Sequence, residues 1–269
     1  MSIKLIAIDI DGTLLNDQRQ LTPTVKSALN QARQQGVKVV LCTGRPIPGI
    51  QDLLIELELL GVEDYAITYN GSLVQNTHNG QIISQHGIDY EQYIEIEMMA
   101  RKLNVHFHAS GEDAIYTANR DISPYTVFES SLVNMPVKYR TQEEMNGITI
   151  VKTMMIDEPE ILAAANAKLP EAFREKYTVV KSAPYYLEVL NKNANKGIAV
   201  KALADYLGIK QEETMAIGDN ENDLAMIDYA GISVAMKNAL PIVKERADYT
   251  TKTTNNEDGV AEAVHKFVL

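Results

Sequence analysis

Cysteine is nearly absent from the 269 residues: Cys42 stands alone. One thiol excludes an intramolecular disulfide and fits a reducing cytoplasm. Long hydrophobic runs are missing too. No apolar stretch approaches the roughly 18 residues of a membrane span. The segment Ile3-Lys4-Leu5-Ile6-Ala7-Ile8 is too short for a signal h-region before Asp9 and Asp11 interrupt it. A cytoplasmic protein without a membrane partner is the expectation. Positive charge is in deficit, with 25 Lys and Arg against 36 Asp and Glu and a net charge of −11. Such a chain lacks the broad basic face that binds nucleic acid. A small anionic ligand stays admissible if a metal or a placed Lys or Arg meets it. Internal repeats and low-complexity tracts are also missing. What remains is an ordinary globular composition, 45% hydrophobic and 23% charged, in a length that suits one large domain or two moderate ones.

Hydrophobic patterning supplies the architecture. Residues 3–8 form a β-branched-rich apolar run ending at acids, and read as a buried strand. Thr22-Pro23 opens a helix whose Val25, Ala28, Leu29 and Ala32 fall at helical spacing, and Gly36 closes it. Strands at 37–41 and 65–68 flank a helix marked by Leu53, Leu54, Leu57 and Leu60. That alternation predicts an α/β fold, a Rossmann-like parallel sheet. After about residue 72 the pattern changes. Asn79-Gly80 sits between short apolar pairs as a hairpin signal. Mixed elements follow: helices at 89–103 and 158–168, and strands at 105–109, 114–118, 148–156, 178–182 and 185–190. The α/β pattern resumes with a helix at 196–207, a strand at 214–218, a helix at 222–229 and a strand at 232–235. The reading is a core of 1–83 plus 189–269, with an α+β cap inserted at 84–188.

Four segments fall where a parallel sheet gathers ligands, at the carboxyl ends of strands. Asp9-Ile10-Asp11-Gly12-Thr13 follows the first strand. Two carboxylates so close repel, and a divalent cation relieves the repulsion; the plain alternative is an Asp pair capping a turn. Thr43 and Gly44 end the second strand, offering a hydroxyl and a close backbone approach to a phosphate oxygen, or merely a turn. Lys196 opens a helix, against the preference of the dipole for anions there. It suits an anion beside it, although a solvated lysine is the better reading for that residue alone. Gly218-Asp219-Asn220-Glu221-Asn222-Asp223 places Asp219 where a metal ligand would meet Asp9; the competing reading is a capping acidic loop.

Together, and in this order, D-x-D-G-T, Thr, Lys and G-D-x-x-x-D resemble the haloacid dehalogenase superfamily, over the full chain. The stretches NKNANKG and MAIGDNENDLAMIDYAG are similar to the Cof-type sugar-phosphate phosphatases, as is Asn70-Gly71-Ser72 to an Asn-Gly-Ala stretch of that subgroup. The resemblance implies that Asp9 attacks phosphorus and Asp11 serves as acid and base. It implies that Mg²⁺ binds Asp9, Asp11 through its carbonyl, and Asp219. Thr43, Gly44, Arg45, Gly12 and Asn222 would contact the substrate, Lys196 would offset charge, and Asp223 would support the metal or Lys196. An Asp at position 11 argues against the transport ATPases and the dehalogenases of the superfamily. The long interval between Thr43 and Lys196, rather than the short one after Asp9, holds the cap, unlike the sugar phosphomutases. A phosphatase of small phosphorylated metabolites is therefore expected. A phosphotransferase and a non-catalytic sugar-phosphate sensor are the competing classes.

Other residues draw weaker readings. His106 and His108 share one side of a strand and offer either a metal pair or, preferred, a polar face. Met98, Met99, Met154 and Met155 read as core filler. Tyr185, Tyr186 and Glu188 read as packing residues first.

Overall fold

The computed structural model describes residues 2–269. In chain order the first strands are β1 (Leu5–Ile8), β2 (Lys38–Cys42), β3 (Tyr65–Thr68), β4 (Leu73–Asn76) and β5 (Ile82–Gln85). The middle of the chain holds β6 (His106–Ser110), β7 (Ile115–Thr117), β8 (Val137–Tyr139), β9 (Lys152–Ile156), β10 (Tyr177–Ala183) and β11 (Tyr186–Asn191). The last strands are β12 (Thr214–Gly218), β13 (Ile232–Ala235) and β14 (Tyr249–Thr250). Helices α1 (Pro23–Gln34), α2 (Gln51–Glu56), α3 (Tyr90–Lys102), α4 (Pro124–Val133) and α5 (Pro159–Ala167) are interspersed, followed by α6 (Glu171–Lys176), α7 (Lys196–Leu207), α8 (Leu224–Tyr229), α9 (Pro241–Arg246) and α10 (Gly259–Phe267).

The chain divides into two compact units, residues 1–84 with 195–269, and residues 85–194. The first carries an eight-stranded sheet in the order β14-β13-β12-β1-β2-β3-β4-β5. Every pairing from β14 to β3 is parallel, and β4 returns antiparallel on β3. Strands β1 and β12 are buried along their whole length, which is why they read as unbroken apolar runs. α1 begins as expected: the Thr22 side chain accepts from the Val25 N–H, and Pro23 takes the first turn. α2 is shorter than the leucine spacing predicts, because the helix ends at Glu56 and Leu57 and Leu59 turn into the core individually.

The second unit has a sheet in the order β10-β11-β9-β6-β7-β8. Phe107, Met155 and Leu187 share one face and pack with Tyr93 and Ile96 of α3 and Leu162 of α5. The expected return to the core at 189 falls inside β11, where Val189 pairs with both Val179 and Thr153. The crossing therefore lies at 195. This α+β unit also contains α4, β8 and α6, none of which the patterning predicts.

His106 and His108 part company. His106 Nδ1 lies 2.9 Å from Asp157, whereas His108 is fully buried between Thr126 Oγ1 at 3.3 Å and Met154 Sδ at 3.2 Å. Burial, reinforced by the nearby Lys152 charge, pushes His108 down to about 3. The unfolded histidine takes its proton near about pH 6.5. Below that pH the unfolded chain binds a proton that the folded state refuses, so stability falls as pH drops from about 6.5 toward the folded value. Unfolding midpoints measured across this range should decline less steeply in His108→Gln than in the wild type; parallel slopes would remove His108 from the acid response.

Candidate active site

The first unit brings together three strand-end segments, after β1, β2 and β12, and the start of α7. Asp9 extends the β1 ladder, its N–H donating to the Ile217 carbonyl at 3.0 Å. Its carboxylate is buried and accepts from Lys196 Nζ at 2.5 Å. The same ammonium donates to Asp223 Oδ1 at 2.6 Å. Lys196 has no solvent exposure at all. Burial alone would lower its pKa, but Asp223 and Asp9 outweigh that and hold it raised. A lysine misplaced with respect to the helix dipole is thus explained by two carboxylates rather than by solvent.

Asp223 uses both of its carboxylate oxygens. Besides Lys196, it accepts from the backbone N–H of Asp219 at 2.8 Å and of Asn220 at 3.0 Å, which fixes the loop after β12. Asp219 accepts from Thr13 Oγ1 at 2.7 Å. Gly12 has φ +82, and a Cβ there would stand 2.6 Å from Asp219 Oδ2. Only glycine lets the two loops approach so closely. Oxygens of Asp9, Asp219 and Asp223 lie within 4.8 Å of one another. Three carboxylates against one buried ammonium leave negative charge in excess. Burial first, then Asp223, pushes Asp9 well above the ordinary carboxylate range, and burial pushes Asp219 up to about 6. An all-oxygen cluster that otherwise gathers protons fits a hard divalent cation.

Thr43 is buried at the end of β2, its hydroxyl accepting from the Arg45 N–H at 3.1 Å. Arg45 clamps the more exposed Asp11 side chain through two hydrogen bonds, one of them from Nε at 2.9 Å. Asn222 donates to Asn70 Oδ1 at 3.0 Å. The structure therefore brings Asp9, Lys196, Asp219 and Asp223 into one cluster, joins Gly12 to it through Asp219, and sets Arg45 on Asp11. Patterning misses two supporting residues. Thr13 orients Asp219, and its place in D-x-D-G-T is the available signal. Asn238 donates to the Gly12 carbonyl at 2.7 Å from a distant loop, and nothing local marks it.

The described residues thus make an α/β protein with a parallel core sheet, an inserted α+β unit and a buried acid–lysine cluster beside the strand ends of the core. The haloacid dehalogenase-like hydrolase family model matches residues 6–264, and the chain belongs to that family. It is 52% identical over 269 residues to M6_Spy0533 of Streptococcus pyogenes serotype M6, a protein named provisionally as a phosphatase, with all of both chains covered. It is 33% identical to the 5-amino-6-(5-phospho-D-ribitylamino)uracil phosphatase YcsE of Bacillus subtilis, covering 100% of this chain and 97% of that one. Among solved structures, the HAD subclass IIB sugar phosphatase BT4131 superposes with a TM-score of 0.80 at 26% identity, covering 98% of each chain. No helix among the described residues is long and apolar enough to cross a membrane.

Proposed function

We propose that this chain is an Mg²⁺-dependent phosphatase of small phosphorylated metabolites, sugar phosphates in particular, acting through an aspartyl-phosphate. The observation that carries the reading is the Asp9 carboxylate, buried at the end of β1 and held on Lys196 at 2.5 Å with Asp219 and Asp223 beside it. Asp9 attacks phosphorus. Thr43, Gly44, Gly12, Asn222 and Arg45 orient the phosphoryl oxygens and exclude water from them. Lys196 offsets the charge that develops there. Asp11 gives a proton to the leaving alcohol and later takes one from water. Arg45 must first release the Asp11 carboxylate, which then takes a proton from solvent and can pass it to the leaving alcohol; the incoming anion gives the guanidinium a reason to leave.

Asp9, Asp219 and the Asp11 carbonyl would hold Mg²⁺. Asp223 is left out as a ligand because its oxygens serve Lys196 and two backbone amides. When bound, the cation neutralises the carboxylates and the phosphoryl oxygens so that like charges can approach. Support for the substrate class comes from YcsE and BT4131, whose names place a phosphorylated polyol chain or a sugar phosphate in their sites. The inserted unit, residues 85–194, is the segment proposed to select the leaving group.

A screen of sugar phosphates for released inorganic phosphate tests the reading. Turnover is expected with Mg²⁺, none with EDTA, and recovery on adding Mg²⁺ back. Asp219→Ala should raise the Mg²⁺ requirement or eliminate activity. Equal rates in EDTA would sink the metal assignment. A new phosphoester in place of free phosphate would make the protein a phosphotransferase, and tight binding without turnover would make it a sensor.

A further inference from the structure

At the carboxyl end of β3 three consecutive residues sit in the left-handed region: Tyr69 at φ 52, Asn70 at φ 55 and Gly71 at φ 94. Glycine adopts this conformation freely and asparagine tolerably, but tyrosine rarely does. Such strain persists only where the surroundings over-determine it. Here they do. The Asn70 N–H donates to the Thr43 carbonyl at 2.9 Å, and the Tyr69 N–H reaches the Arg45 carbonyl at 3.4 Å. A Cβ on Gly71 would stand 2.2 Å from the Asn195 carbonyl oxygen and 2.9 Å from the Lys196 nitrogen. The turn is wedged between the loop after β2 and the start of α7.

The Asn70 side chain continues the same function. It is buried, and its Oδ1 accepts from Asn222 Nδ2 at 3.0 Å. Its amide nitrogen lies 3.1 Å from where a Gly44 Cβ would stand. One asparagine thus holds Thr43 through its backbone and Asn222 through its carboxamide, and that carboxamide fills the space a side chain at Gly44 would need. These three residues come from two different loops, each assigned above to the phosphoryl oxygens. A tetrahedral oxyanion needs donors from separate loops at fixed separations, and small misplacements are expensive in affinity and rate.

We propose that Asn70 is the positioning residue that locks these loops into one phosphate cradle, an assignment that rests on the phosphatase reading. Asn70→Gly gives the discriminating test. Glycine accepts the left-handed backbone at no steric cost, so it rescues a purely conformational role and cannot rescue a carboxamide that holds Asn222. The probe is inorganic phosphate titrated calorimetrically in the presence of Mg²⁺, with KM and kcat for a sugar phosphate alongside and thermal unfolding as the check on folding. Asn70→Gly should weaken phosphate binding about tenfold and raise KM in parallel, the scale expected when one buried hydrogen bond is removed from a binding site. Asn222→Ala should weaken it similarly, and the double variant should be little worse than either single one. Wild-type phosphate affinity in Asn70→Gly, or additive losses in the double variant, would overturn the proposal. Should Asn70→Gly fail to fold, Asn222→Ala with unchanged phosphate affinity would overturn it equally. A wild type that binds phosphate but hydrolyses no monoester would sink the phosphatase reading while the binding series still decides Asn70. A wild type that binds no phosphate would sink both.

Discussion

Asp9→Asn is expected to lower monoester hydrolysis by at least about 10⁴-fold while leaving the protein folded. The amide cannot supply the electron pair that the Asp9 carboxylate would give to phosphorus, and it is a poorer ligand for a cation. The fold should tolerate the change for an electrostatic reason. Burial and the neighbouring Asp223 push Asp9 well above the ordinary carboxylate range. In the metal-free protein the ionised form is therefore costly, and a neutral isostere relieves that cost. Lys196 keeps Asp223 at 2.6 Å as its counter-ion. The unfolding midpoint without Mg²⁺ should stay level or rise, and the increment that Mg²⁺ adds to the wild type should shrink. Acid quenching of a rapid reaction with radiolabelled substrate should trap labelled wild-type protein and unlabelled variant. An Asp9→Asn protein that turns over normally would remove the covalent mechanism.

How far such a site can be read in the sequence depends on how local its parts are. β3, β12 and β13 have the bounds that patterning predicts, because buried parallel strands are short apolar runs closed by glycine or acid. Residues at the ends of such strands are placed as soon as the strands are. α4 escapes for the opposite reason. It buries Thr126 and Glu129 and exposes Val127, Phe128 and Leu132, so no apolar stripe marks it. The buried Glu129 meets Lys152 of β9 at 3.5 Å, a partnership no local window contains. Ser123-Pro124 is the one available signal, a cap followed by a first-turn proline. α10 lies beyond the last strand that the patterning assigns, although its Val260, Ala263 and Val264 fall at helical spacing. The hold of Arg45 on Asp11 and that of Asn70 on Asn222 join distant segments, and their geometry appears only when the sheet assembles.

The second large effect belongs to Lys196. Lys196→Met keeps a flexible chain of similar length and removes the ammonium from a position with no solvent exposure. Two carboxylates, Asp9 and Asp223, then lose the donor that each holds at 2.5 and 2.6 Å. Breaking a buried ion pair on one side leaves uncompensated charge and costs about 3–5 kcal/mol. The pH dependence has a definite sign. With the cation gone, Asp9 loses the lowering influence of Lys196, and burial holds its proton to higher pH than in the unfolded chain. Stability is then fully present below the unfolded carboxylate value near about 3.9 and is lost as pH rises through the raised folded value. Denaturant melts of Lys196→Met should therefore show the deficit at neutral pH and a partial recovery toward pH 5. The double variant Lys196→Met/Asp223→Asn should recover stability at neutral pH without recovering activity, since the charge beside the transferring phosphoryl group is still missing. Mg²⁺ should stabilise Lys196→Met by more than it stabilises the wild type, because it meets the same excess of negative charge. A Lys196→Met protein as stable as the wild type at neutral pH would mean that the three carboxylates do not carry the charge assigned to them.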